Sequence, residues 1–97
     1  MAGMDALLDR RQLGRLIRGH RYMLGMDNGQ DFVERMEKDT GVSLSDRSLY
    51  AYERGTRTPT IDTWMALAIE LDLTAEDLVG CIEDDILKRR ALKSFTC

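Results

Sequence analysis

The sequence predicts an all-α fold, and three observations carry that prediction. Apolar residues recur at helical spacing through most of the 97 residues. Pro59 is the only proline and β-branched runs are few. The stretches between periodic segments hold capping and turn residues, among them Asp9, Asn28, Gly41, Ser45, Gly55, Thr60 and Thr74. A chain of this length is one small domain with a modest core, too short for a separate sensor or catalytic domain.

Five helices follow in order, with a sixth left open. Asp9-Arg10-Arg11-Gln12 has capping-box spacing and starts a helix over about 10–24, with Leu13, Leu16, Ile17 and Leu24 as its inward stripe. Gly25 to Gly29 has turn chemistry, so Gln30 or Asp31 opens a second helix that turns Phe32, Val33 and Met36 inward and ends near Asp39. Gly41 suits a positive φ, and Val42 or Leu44 plugs the gap before a third helix that starts at Ser45. Thr60 caps a fourth helix with Ile61, Trp64, Met65, Ala68 and Leu71 inward. Thr74 to Asp77 again has capping-box spacing and begins a short fifth helix that Gly80 ends. In 82–93, Glu83, Asp84 and Asp85 precede Lys88, Arg89, Arg90 and Lys93, the order a helix dipole favours. Residues 1–80 are thus expected to be the main domain and 81–97 a C-terminal extension, helical and dimerising if the sixth helix forms.

Composition narrows the function. Apolar residues at 43% and charged ones at 32% are ordinary for a soluble domain. The absence of a long apolar run or a secretory pattern in Met1 to Asp5 predicts a cytoplasmic protein with no membrane partner. Cys81 and Cys97 lack CxxC spacing and His20 is the only histidine, so neither zinc nor a disulfide is expected. Cys81 reads as a small apolar filler, Cys97 as a frayed end and His20 as a half-buried packing residue. With no phosphate loop and no Ser/His/Asp or Cys/His cluster, neither an enzyme, a cofactor nor a small-molecule ligand is predicted. The net charge is −3, but residues 1–60 carry ten basic against nine acidic side chains and residues 61–97 four against eight. The acidity lies mostly outside the first three helices.

Residues 45–59, Ser-Asp-Arg-Ser-Leu-Tyr-Ala-Tyr-Glu-Arg-Gly-Thr-Arg-Thr-Pro, say most. In a helix capped by Ser45 and closed by Gly55, Leu49, Tyr52 and Glu53 turn inward while Arg47, Tyr50, Ala51 and Arg54 share the opposite face. A short helix offering arginine, tyrosine and small residues outward suits a DNA major groove, although periodicity alone fits a solvated amphipathic helix equally well. Glu53-Arg54-Gly55 followed by Pro59, with helices on both sides, resembles the helix-turn-helix family of lambda repressor, Cro and the xenobiotic-response-element regulators, over about residues 10–79.

The resemblance implies a five-helix lambda-repressor-like domain and assigns roles. Arg21, late in the first helix, matches the family's partner for the glutamate ending the reading helix, Glu53, in a structural ion pair that sets the helix's tilt. Gln30 matches a phosphate-contacting glutamine, its alternative being a plain polar residue at a helix start. Counting back from Glu53 places Asp46, Arg47 and Ala51 at base-reading positions, with Ser45 and Ser48 beside the sugar-phosphate wall. Arg47 can bond guanine O6 and N7 together, Asp46 either accepts from cytosine N4 or caps the helix, and Ala51 meets a thymine methyl. Tyr50 stacks on a sugar or donates to a phosphate, while Arg54 and Arg57 fall where the family contacts the backbone. Gln30 and Glu53 lie 23 positions apart, more than is usual in the family, so the second helix or its turn is extended around Glu37–Leu44.

The function this implies is a sequence-specific, DNA-binding transcriptional regulator, a small phage or prophage repressor or Cro-like switch that binds double-stranded DNA as a homodimer, because one short helix reads too few base pairs. Two other readings share the fold: an antitoxin that binds both DNA and a toxin, and a protein-interaction adaptor that has lost DNA binding.

Overall fold

Each helix starts at a polar side chain that accepts a backbone N–H of its first turn. In the computed structural model, which describes residues 8–82 and 84–96, six helices form among the described residues: α1 (Arg10–Met23), α2 (Gly29–Thr40), α3 (Asp46–Arg54), α4 (Ile61–Leu71), α5 (Ala75–Val79) and α6 (Asp85–Thr96). Their caps are Asp9, Asn28, Ser45, Thr60, Thr74 and Asp84, each accepting from N–H groups two or three residues on. Such a cap satisfies donors that a helix leaves orphaned and contributes about 1 kcal/mol. The fold is all-α, and the described residues hold no strand, only one antiparallel bridge between Leu8 and Ile82.

The helices end as the sequence indicates at three places, Gly80 closing α5 as the third. Gly41 and Gly55 close α2 and α3 at φ 79° and 78°, a region that L side chains rarely adopt. Of the two expected capping boxes only Thr74–Asp77 is reciprocal, with the Thr74 N–H donating to Asp77 Oδ2 at 2.8 Å. That bond is the main reason the Asp77 carboxyl titrates below its ordinary value, helped by His20, whose Nε2 lies 4.0 Å away. At α1 the reciprocal half is missing because the Asp9 N–H donates instead to the Cys81 carbonyl at 2.8 Å.

Leu13, Ile17, Phe32, Met36, Leu49, Leu67 and Leu71 are the fully sealed apolar centre, each worth roughly 1.5–3 kcal/mol of burial. α1 packs chiefly on α3, α3 also on α2, α2 on α4, and α5 on α6. Cys81 and Ile82 belong to this core together with Leu8, so the segment placed in the C-terminal extension begins inside the domain. Burial holds the Cys81 thiol above its usual pKa, as an apolar filler should be.

Several expected details are corrected. Leu24 is the C-cap of α1 and 46% exposed rather than inward. α2 starts at Gly29, one residue before Gln30, because Asn28 takes the cap, and it runs to Thr40, one residue past the expected end near Asp39. On α4 the inward face is Trp64, Leu67 and Leu71 with Ala66, whereas Ile61 and Met65 are exposed; Ala68 is half-buried. Helical spacing leaves the choice between neighbouring faces open when both are apolar, and α4 is apolar almost all round. α6 begins at Asp85 rather than 82, since Ile82 is held in the bridge to Leu8. Glu83, Cys97 and the segment Met1 to Asp5 lie outside the described residues. Among those described, no helix is long and apolar enough to cross a membrane.

Candidate nucleic-acid interface

The face of α3 turned toward the core is locked in three ways. Leu49 and Tyr52 are buried, as their i, i+3 spacing requires. Glu53 then receives both arms of Arg21, Nε to Oε2 at 2.8 Å and Nη2 to Oε1 at 3.0 Å, a bidentate pair with only 2% and 6% of the two side chains exposed. The remaining arm of Arg21, Nη1, donates to the carbonyls of Met26 and Asp27 at 2.8 and 2.7 Å. One guanidinium therefore ties α1, the α1–α2 loop and α3 together, and Glu53 holds its pKa above the ordinary arginine value against the opposing effect of burial.

The third lock comes from a residue the sequence reading passed over. Gly14 of α1 lies against the carbonyl oxygens of Tyr52 and Glu53, so near that a Cβ there would collide with backbone. The crossing of α1 and α3 is set by this missing side chain. Gly29 of α2 instead leaves room for a side chain, since a Cβ there would strike the phenol ring of Tyr50 rather than backbone. A glycine inside a predicted helix is the available signal, since it sacrifices helix propensity for some reason of packing or backbone.

The residues that the resemblance assigns to DNA fall into three groups on the other side. Arg47 and Arg54 are exposed on α3, and neither has a hydrogen-bonding or ionic partner among the described residues. Ser45, Ser48 and Arg57 gather at the α3 N-terminus: Ser45 Oγ donates to Ser48 Oγ at 3.0 Å, and Arg57 Nη1 donates to Ser48 Oγ at 2.9 Å while its guanidinium lies 5.5 Å from the Tyr52 ring centre. Tyr50 bridges to α2, its hydroxyl accepting the Gly29 N–H at 3.1 Å, which leaves the phenolic proton free to be donated. Gln30 stands exposed one residue along and donates to Glu34 at 2.8 Å, an i, i+4 pair on the surface.

Two assignments change. Ala51 is not on the open face but 6% exposed; its carbonyl is taken by the N–H and the hydroxyl of Thr56, which close the end of α3. The Ala51 methyl is not offered to a base. Asp46 does not cap α3, since Ser45 does; it sits half-buried in the first turn, where a carboxylate favours the helix dipole.

No model of a known protein family matches the chain, and no curated protein and no solved structure shows significant similarity to it.

Proposed function

We propose that the protein is a sequence-specific DNA-binding transcriptional regulator of the lambda repressor and Cro type, acting in the cytoplasm as a small phage or prophage repressor and binding double-stranded DNA as a homodimer. The observation that carries this reading is the two-sidedness of α3. Its inner face is immobilised by Arg21, Glu53 and Gly14, while its outer edge presents Arg47 and Arg54, which have no hydrogen-bonding or ionic partner among the described residues. Locking a helix on one side while leaving long cations unsatisfied on the other is what reading base edges requires, since the tilt decides whether a guanidinium meets guanine O6 and N7.

In this reading Arg47 contacts a guanine, Ser45, Ser48 and Arg57 grip one stretch of backbone, and Tyr50 with Gln30 grips another at the α2 N-terminus. The net charge of −3 leaves non-specific affinity modest, so binding leans on base contacts. Dimerisation supplies the second half-site, and the exposed Ile86, Leu87 and Leu92 of α6 support a pairing surface there.

Selection of bound sites from random double-stranded DNA tests the reading, with a two-fold symmetric motif expected. Arg47→Ala should then cost roughly 1–3 kcal/mol on the selected site and relax preference at one base position. Failure to enrich any motif, or an Arg47→Ala protein with unchanged base preference, would overturn it.

A further inference from the structure

A cleft of about 300 Å³ opens beside the reading edge of α3, where the second half of α1 meets the end of α3. Arg18, Arg21, Tyr22, Tyr50, Glu53 and Arg54 line it. Arg21 and Glu53 form its floor and are already spent on one another and on the carbonyls of Met26 and Asp27. The cleft's only carboxylate is thereby neutralised, and the cations left at its rim are Arg18 and Arg54. Tyr22 lines the same cleft, an aromatic ring 44% exposed, with the Arg18 guanidinium 5.4 Å from its centroid and that of Arg21 4.8 Å. Among the described residues Arg18 makes no hydrogen bond or ion pair, and its guanidinium lies over the Tyr22 ring.

We infer that this cleft takes a backbone phosphate of the bound DNA, held by Arg18 and Arg54, with Tyr22 steadying Arg18, so that α1 extends the footprint beyond α2 and α3. The inference rests on the DNA-binding reading and adds two residues to it. Three features favour a phosphate here. The rim charge is positive with no free carboxylate to oppose it. Tyr22 fixes Arg18 through a cation–π contact, so less side-chain freedom is lost when an anion binds. Tyr50 and Arg54 belong to both the cleft and the outer side of α3, so a strand lying along Arg47 and Arg54 continues into it.

The test is the salt dependence of binding by the full chain to its selected site, measured for wild type, Arg18→Ala, Tyr22→Ala and Arg15→Ala. Arg15 is an exposed arginine on the same helix outside the cleft and serves as the charge control. A lost phosphate contact lowers the slope of log K against log salt by about 0.9. Arg18→Ala should show that drop together with loss of one outlying phosphate from an ethylation-interference footprint, and Tyr22→Ala a several-fold weaker affinity; Arg15→Ala should change neither readout. Circular dichroism of each variant verifies the fold. If wild type binds its site but Arg18→Ala keeps both slope and footprint, or Arg15→Ala matches it, the cleft is not a phosphate site while the DNA reading stands. If wild type binds no DNA at any salt, both fall.

Discussion

Two arginine–glutamate pairs join neighbouring helices, and they are built to opposite standards. Arg21–Glu53, between α1 and α3, is bidentate at 2.8 and 3.0 Å with both side chains nearly sealed and the remaining guanidinium arm bonded to two loop carbonyls. Arg35–Glu70, between α2 and α4, has one contact of 3.6 Å, and its arginine is 63% exposed while the glutamate is 5% exposed. Burial holds the Glu70 carboxyl above its ordinary pKa, with Asp39 adding to the shift and Arg35 only partly opposing it. A charge that is fully paired defines geometry, whereas one half of a loose pair mostly carries a desolvation cost. The demanding construction is found beneath the proposed reading helix, the relaxed one away from it.

The comparison breaks most visibly at Arg21. Arg21→Met strands the Glu53 carboxylate and two carbonyls, and urea denaturation should show a loss of about 3–5 kcal/mol. A loss below about 1 kcal/mol, the size of an exposed pair, would erase the distinction between the two sites. In the milder Glu53→Gln, specific DNA binding should disappear while helicity by circular dichroism survives; loss of both together would mean that the pair serves stability alone.

Next in size is the crossing at Gly14. Gly14→Ala places a methyl against the Tyr52 and Glu53 carbonyls and should cost about 1–3 kcal/mol as α1 and α3 part. Gly19→Ala, in the same helix with nothing near its Cβ position, should instead stabilise the protein by about 0.5–1 kcal/mol through helix propensity. Thermal denaturation of the two variants sharpens the comparison, because equal shifts would show that backbone contact plays no part.

The smallest effect belongs to Glu70. Glu70→Gln should leave stability at neutral pH within about 1 kcal/mol of wild type or raise it, since the Arg35 it leaves behind is solvated. The pH dependence gives the sharper reading. Because the folded-state pKa of Glu70 is raised, the folded protein binds this proton more readily than the unfolded chain. Lowering the pH through that pKa toward the ordinary carboxyl value therefore relieves a penalty. Asp77 works in the opposite sense, its lowered pKa giving stability that is lost on acidification through the still lower folded-state value. Urea midpoints across the acid range should show Glu70→Gln lacking the rise and keeping the later fall.

Much of the fold was legible because its signals are local. Asp9, Ser45, Thr60 and Thr74 were readable as caps, and Gly41 and Gly55 as stops, since each acts on backbone within a few residues of itself. The inward faces of α2 and α3 followed from spacing, as each carries a single apolar stripe. α4 defeated the same rule, its apolar residues surrounding it, and so Ile61 and Met65 were misplaced while Ala66 and Leu67 were passed over. The Arg21–Glu53 pair came from the resemblance rather than from periodicity, which can say which face a residue occupies but not what lies across from it.

The starts of α1, α3, α4 and α5, the stops at Gly41 and Gly55, and the buried and charged sides of α3 could be read from the sequence, because they depend on hydrogen bonds and apolar spacing within a turn or two. Packing of distant segments settled that Gly14 brings α1 against the backbone of α3, that Ala51 is buried, that the Asp9 N–H goes to Cys81, and that Arg18 and Tyr22 line a cleft with Arg54. Most of these juxtapositions join separate elements, far apart in the chain. Even the burial of Ala51 depends on what packs against it in the folded chain, which local spacing does not prescribe.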